Sequence, residues 1–490
     1  MIDLTMHRDN LSRSIERARE KNIIIPTFAQ MENPEKIPEK IQDKLTEVGL
    51  WDVNPLNLFR ITWKNNPVEK GGDGKFGSVN FIELPSSLTG VKARIVLLTG
   101  KWFPTGCHKV GASFGCLVPR LVTGQFDPTY HHAVWPSTGN YCRGGAFNSK
   151  LLACDSVAIL PAEMSKERFD WLSKIAGQVI ATPGCESNVK EIFDKTWELR
   201  KDPSMMIFNQ FEEMGNPLWH YNVTGRAIHE VVESVRREGD RFAGAAFTSG
   251  SAGTMSAGDF LKEQYPDSKL AVGEALQCPT LLNNGFGGHR IEGIGDKHVP
   301  WIHNVKNTDM VIAIDDEDSQ KLLRLFNDPV GLKYLNSVGV PEETTQQLSL
   351  LGISGIANLL CCIKMAKYYE LDEHDILATV GTDSAVMYQS RIRELEEANG
   401  AYTEAMAAAD WAEHLHGIRT DTMEELTYET RKRVHNLKYY TWVEQQGKDV
   451  KELNAQWYDK RYWSDMHAQV DEIDELINEF NEATGLLKNL

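Results

Sequence analysis

Residues 105–115 read TGCHKVGASFG, with Lys109 near the middle of the stretch. Upstream, ARIVLLTG (93–100) is a continuous apolar run of strand length. Downstream, Ala112, Phe114, Leu117 and Val118 recur at helical spacing. Lys109 is therefore expected where a strand gives way to a helix. In an open α/β sheet, ligands collect in the crevice outside the carboxyl ends of the strands. A lysine partly desolvated there can lose its proton and form a Schiff base with an aldehyde cofactor. The plainer alternative is a surface lysine in a helix's first turn, where the dipole disfavours it.

Moving outward, residues from about 80 to 390 alternate strand candidates with helical stretches. The candidates are ARIVLL, HHAVWP, SVAILP, QVIATP, MMIFNQ, FAGAAFTSG, KLAVGEA, MVIAID and ILATVG. Such alternation means parallel sheets with helices on both faces, and its length suits two lobes with a cleft between them. Residues 1–75 read as a polar N-terminal extension. From 391 to 490 the chain is charged and helical with no strand pattern. There Trp463, Met466, Val470, Ile473, Ile477 and Phe480 form one apolar seam, which suits packing on the body or a subunit contact.

Composition narrows the class. Of 490 residues, 41% are hydrophobic and 25% charged, as in ordinary globular proteins, and the net charge is -17. That field repels nucleic acid and anionic membranes, so neither is an expected partner. No apolar run of ~18 residues and no charged-then-apolar leader is present, so neither a membrane span nor a secretion signal is read. The eight cysteines contain no CxxC pair. A disulfide framework or metal site is not expected, and a reducing cytoplasm fits. Cys361 and Cys362, adjacent in an apolar helical pattern, suit packing. Cys107 and Cys142 lie in motif loops and could be either reactive or simply packed.

Three more stretches stand at strand-to-helix switches. WPSTGNYCRGGAF (135–147) puts Ser137, Thr138, Gly139, Asn140 and Tyr141 at a helix start. These suit either a substrate carboxylate or ordinary helix capping. AAFTSGSAGTMSAG (245–258) brings the small residues Gly250, Ser251, Ala252, Gly253 and Thr254 between a strand and a helix. Small residues let backbone N–H groups approach a phosphate, although a plain tight turn has the same composition. In LLGISGIANLL (350–360), Ser354 interrupts an apolar run. A buried serine needs a partner, which is either a carbonyl one turn back or a cofactor ring nitrogen.

Together these parts resemble the fold type II pyridoxal-phosphate enzymes, most closely the cysteine synthase/cystathionine β-synthase family, over residues 80–385. The resemblance implies a two-lobed α/β core over 76–390, with a smaller lobe at about 120–225, carrying pyridoxal 5'-phosphate on Lys109. STGNYC is similar to the family's TSGNTG loop. This implies Asn140 beside the cofactor's phenolic oxygen and Ser137, Thr138, Gly139 and Tyr141 facing the substrate carboxylate. NQF resembles QQF and implies a second hold through Gln210. GSAGT, Gly250 to Thr254, is similar to the phosphate loop GTGGT, and GISG resembles GISSG, implying Ser354 at the pyridine nitrogen. HRIEGIGDKHVP (289–300) resembles a signature lining the cleft around Gly293 to Gly295.

Four departures stand beside the likeness. TGCHK is closer to the tryptophan synthase β-chain's TGAHK, and Tyr141, Cys142 and Arg143 are larger than the family's usual residues. GSAGT has alanine where glycine is usual, and Thr382 in ATVGTDSA could serve the ring nitrogen in place of Ser354. What the resemblance implies is a lyase or β-replacing transferase. It would act on cysteine, serine or O-activated serine through an aminoacrylate, as a cytoplasmic homodimer with a small amino-acid substrate. A serine/threonine ammonia-lyase and a catalytically silent partner subunit are the alternatives.

Overall fold

The computed structural model describes residues 1–489. All nine apolar runs are strands, accompanied by two short edge strands that carry no such pattern. In chain order they are β1 (Phe81–Leu84), β2 (Arg94–Thr99), β3 (His132–Pro136), β4 (Asp155–Pro161), β5 (Gln178–Thr182) and β6 (Met205–Ile207), followed by β7 (Arg241–Thr248), β8 (Lys269–Ala275), β9 (Met310–Ile314), β10 (Asp375–Gly381) and β11 (Met423–Glu425). Strands β2, β9 and β10 are buried at every residue. A strand covered on both faces reads as an unbroken apolar run rather than an alternating one.

These strands make two sheets, and a separate antiparallel ribbon in the N-terminal extension pairs residues 65–66 with 75–76. The larger sheet has the order β11-β9-β8-β7-β10-β2-β1 and the smaller β5-β4-β3-β6. Every pairing in the two is parallel except at the edges of the larger sheet, where β1 and β11 run antiparallel to their neighbours. Parallel neighbours send their chains out at the same carboxyl edge, so the loops after β2, β3, β7 and β10 emerge where the two sheets face each other. β11 corrects the reading of residues 391–490 as strand-free. Its three residues, Met-Glu-Glu, are only partly buried and too few and too polar to show a period.

Seven helices position the site or brace the lobes around it: α1 (Arg8–Glu20), α2 (Lys109–Val122), α3 (Asn140–Leu151), α4 (Lys166–Ile175), α5 (Met255–Gln264), α6 (Ile353–Tyr368) and α7 (Tyr462–Thr484). The seam on α7 packs on the body: Met466, Ile473, Ile477 and Phe480 are buried in the same core as Phe114 and Leu117 of α2. α7 also holds the N-terminal extension. Asn481 accepts from the Ile25 N–H and donates to its carbonyl at 3.0 and 2.7 Å, and Asp474 accepts from the N–H groups of Phe28 and Ala29 at 2.6 and 3.0 Å. The two extensions thus brace one another against the body. Ile473→Ala should lower the unfolding free energy by about 2–5 kcal/mol, the range for emptying a packed aliphatic site. Urea denaturation measures it, and a change under about 0.5 kcal/mol would contradict this packing. Among the described residues, no helix is long and apolar enough to cross a membrane.

Candidate active site

Lys109 is the first residue of α2 and is half-buried. Its ammonium donates to Oε1 of Gln210 and to Oγ of Ser251, both at 3.1 Å. Burial lowers its pKa from the ordinary lysine value, opposed by the nearby Cys107 thiol and Glu186 carboxyl. The two hydrogen bonds join three loops. Gln210 Nε2 reaches Oγ of Ser137 at 3.4 Å, and the same Oγ accepts from the Gly139 N–H at 3.0 Å. Asn216, fully buried, donates to Ser251 Oγ at 3.1 Å and to the Gln210 carbonyl at 2.9 Å.

The loop after β7 presents amides rather than side chains. The backbone N–H groups of residues 250–254 find no backbone acceptor, and Thr254, which precedes α5, makes no capping bond. Five free N–H groups at a helix N-terminus form a cradle for an anion. Gly253 is required by packing, since a Cβ there would collide with the Asn216 side chain. Ala252 holds a left-handed φ of 63°, as does Thr105 (φ 69°) ahead of Lys109. Non-glycine residues held there cost of order 1–3 kcal/mol and cluster at binding sites.

The loop after β3 supplies Ser137, Thr138, Gly139, Asn140 and Tyr141, all buried. Gly139 has φ 149°, and a Cβ there would lie 2.6 Å from Cδ of Arg168. Gly139→Ala is therefore expected to cost about 1–3 kcal/mol in unfolding free energy and to weaken amino-acid binding, as read by calorimetry. Asn140 donates to Oδ2 of Asp383 at 2.7 Å while its own Oδ1 has no partner. Ser354, one residue into α6, is buried with an unpartnered Oγ, and a Cβ on pocket-lining Gly293 would stand 4.0 Å from that oxygen. Thr382 instead turns its carbonyl to the His108 N–H at 3.4 Å.

Lys109, Ser137, Thr138, Asn140, Tyr141, Gln210, Gly250 and Ser251 line one crevice, together with Gly293 to Gly295. The crevice is narrow, with about 10 Å³ free for a water-sized sphere. A larger groove of about 690 Å³, lined by His229, Tyr265 and Lys269, lies at the amino ends of β7 and β8, away from these loops.

Several residues acquire meaning only here. Arg143, fully buried, sits over the rings of Trp51 and Trp171 at 5.8 and 4.9 Å. It ties the N-terminal extension to the small lobe by cation–π attraction. Burial pushes the thiols of Cys107 and Cys142 up to about 12, so both stay protonated and inert at neutral pH. Tyr141 packs edge-on against Trp135 at 5.4 Å, and its hydroxyl is buried without a partner. Sequence reasoning missed Glu186, Asp296 and Asp383. The first two line the crevice and the third anchors Asn140. No local pattern marks Glu186; Asp296 and Asp383 lie inside HRIEGIGDKHVP and ATVGTDSA, but only packing brings them to the site. Among the described residues, no cluster of His, Cys, Asp and Glu could hold a metal ion.

The donor set fits pyridoxal 5'-phosphate. An amide cradle suits the phosphate, a primary amine suits the aldehyde, and the unpartnered buried hydroxyl of Ser354 suits the ring nitrogen. No family model matches the chain. Among characterised proteins, it is 28% identical over 263 residues to a probable cysteine synthase of Bacillus subtilis, covering 52% of this chain and 83% of that one. It is 25% identical over 319 residues to cystathionine beta-synthase of Saccharomyces cerevisiae, covering 63% of this chain and 59% of that one. The crystal structure of cysteine synthase from Entamoeba histolytica superposes with a TM-score of 0.55 at 19% identity, over 69% of this chain and 94% of that one. The fold is that of the fold type II pyridoxal-phosphate enzymes, and the chain is a pyridoxal-phosphate-dependent enzyme of that class. Within the class its sequence relatives are cysteine synthases and a cystathionine β-synthase.

Proposed function

We propose that this enzyme catalyses β-elimination or β-replacement on cysteine, serine or an O-activated serine. The observation that carries the reading is the pair of 3.1 Å hydrogen bonds from the Lys109 ammonium. They set one amine between the amide cradle at 250–254 and the loop at 137–141. The cofactor, when bound, supplies an electron sink for the substrate's α-carbon.

The chain's own residues do the rest. Ser137, Thr138, Gly139 and Tyr141, with the Gln210 side chain, bind and orient the substrate carboxylate. Gly250, Ser251, Ala252, Gly253 and Thr254 hold the phosphate, Asn140 faces the phenolic oxygen, and Ser354 faces the ring nitrogen. A hydroxyl at that nitrogen, unlike a carboxylate, does not hold it protonated. Negative charge at the α-carbon is therefore short-lived and leaves with the β-substituent. Lys109 Nζ takes the α-proton, and the desolvation that lowers its pKa favours the neutral form a base requires.

We assign the catalytic core to residues 76–390, with the smaller lobe at about 120–225, and extensions to 1–75 and 391–490. The amino-acid substrate fits the carboxylate loop. Eight free cysteines are compatible with a reducing cytoplasm, and a homodimer is the assembly the family resemblance favours. Sulfide, ammonia and keto-acid release from cysteine, serine and O-acetylserine tests the activity. A cofactor-loaded protein that turns over none of them would overturn it. Sedimentation velocity tests the dimer.

A further inference from the structure

Resting on that reading, we propose that Glu186 is the acid that protonates the departing β-substituent. The pocket then favours substrates whose leaving group needs a proton, the hydroxyl of serine above all and the thiol of cysteine next, over O-activated serine. Glu186 follows β5 in the small lobe, is 2% exposed, and lines the same crevice as Lys109 and Gln210. The Thr138 hydroxyl and the Gly293 amide lie beside its carboxyl. Its Oε2 is buried without any partner. A carboxyl placed at the substrate loop with one free oxygen needs a reason, because burying an unsatisfied group costs about 1–3 kcal/mol.

The charged groups around it are Lys109 from α2, Arg168 from α4, and Glu292 and Asp296 from the loop at 289–300. Arg168 is already occupied by Glu292 and lies 3.9 Å from Asp383. Burial, reinforced by Glu292, outweighs Arg168 and pushes the Glu186 carboxyl up to about 8, so it carries its proton at neutral pH. Asp296, the other crevice acid, already pairs one oxygen with His298 Nδ1 at 2.9 Å. The thiols of Cys107 and Cys142 are held too firmly to give a proton.

The step balances. The bond from Cβ to oxygen or sulfur breaks, its electron pair goes to the heteroatom, and the Glu186 proton completes water or hydrogen sulfide. In replacement, the Glu186 carboxylate then takes the proton of the incoming nucleophile. In elimination it is reprotonated from solvent. Acetate leaves without a proton, hydroxide does not, and a thiolate of conjugate-acid pKa about 8.5 stands between them.

The test uses the cofactor-loaded protein with L-serine, L-cysteine and O-acetyl-L-serine. Glu186→Gln should lower the ratio of kcat/KM for serine to that for O-acetylserine by ~10²–10⁴-fold, the range for general-acid catalysis. The cysteine ratio should fall less, and Glu186→Asp should restore part of the serine ratio. In the unmutated protein, the serine rate should fall as pH rises through about 8, whereas the O-acetylserine rate should not. That comparison needs no variant and stands even if Glu186→Gln misfolds. Calorimetric binding of L-alanine, which has no leaving group, should stay within about twofold in Glu186→Gln. Equal losses on serine and O-acetylserine, or matching pH profiles for the two, would overturn the assignment. Absence of turnover on all three by the unmutated protein would instead remove the β-substitution reading, and the role of Glu186 with it.

Discussion

Lys109→Ala is expected to abolish the visible absorbance of the cofactor-loaded protein and to cut turnover of every β-substituted amino acid by at least ~10³-fold. Two losses combine: the covalent hold on the cofactor, and the general base, which alone is worth ~10²–10⁴-fold. The fold should survive. Lys109 is half-buried, and removing a desolvated amine leaves neutral groups: Ser251 Oγ still accepts from Asn216, and the Gln210 side chain stays tethered through Nε2 to Ser137. Spectra and steady-state assays of the purified variant check both effects. An unchanged spectrum with full turnover would show that another amine does the work.

A large stability effect is also expected at Arg168. Its guanidinium is fully buried and bonded to Glu292; it also donates to the Tyr388 hydroxyl at 3.1 Å, which in turn donates to Asp383 at 2.7 Å. Arg391 supports Glu292 from the other side at 2.6 Å. Removing one member of a buried ionic network leaves the others charged and under-compensated, which costs about 3–5 kcal/mol. Arg168→Ala should fall near the lower end of that range, because Arg391 and Asn140 remain to hold the two acids. The shift is read from the urea midpoint of the cofactor-free chain. Lysine should restore little of it, since a point charge cannot reproduce the planar guanidinium's separate bonds to Glu292 and Tyr388. The effect should extend to the site, for Arg168 packs beneath Gly139 and binds the residue preceding Gly293.

Legibility followed burial. β2 and β10 were readable because strands covered on both faces can hold only apolar residues, and the Lys109, Gly250 and Asn140 loops stood out against them. β1 and β11 escaped notice because edge strands of three or four residues are too short to establish a period. Tyr141 and Arg143 were visibly unusual, yet the purpose of Arg143 depends on Trp51 and Trp171, residues that reach it only in the folded chain. Glu186, Asp296 and Asp383 looked like any other acids.

From the order of apolar runs came the alternating parallel-sheet architecture, and from the resemblance carried by three motif loops came Lys109, the 250–254 turn and the 137–141 loop as candidates. Each is a contiguous stretch whose covalent order already sets its local shape. Which acids face Lys109, which cysteines are inert, and how the two extensions brace the lobes were settled by tertiary packing. Burial, not sequence position, sets whether a carboxyl keeps its proton or an arginine finds a ring to lie on, and burial is a property of the assembled chain.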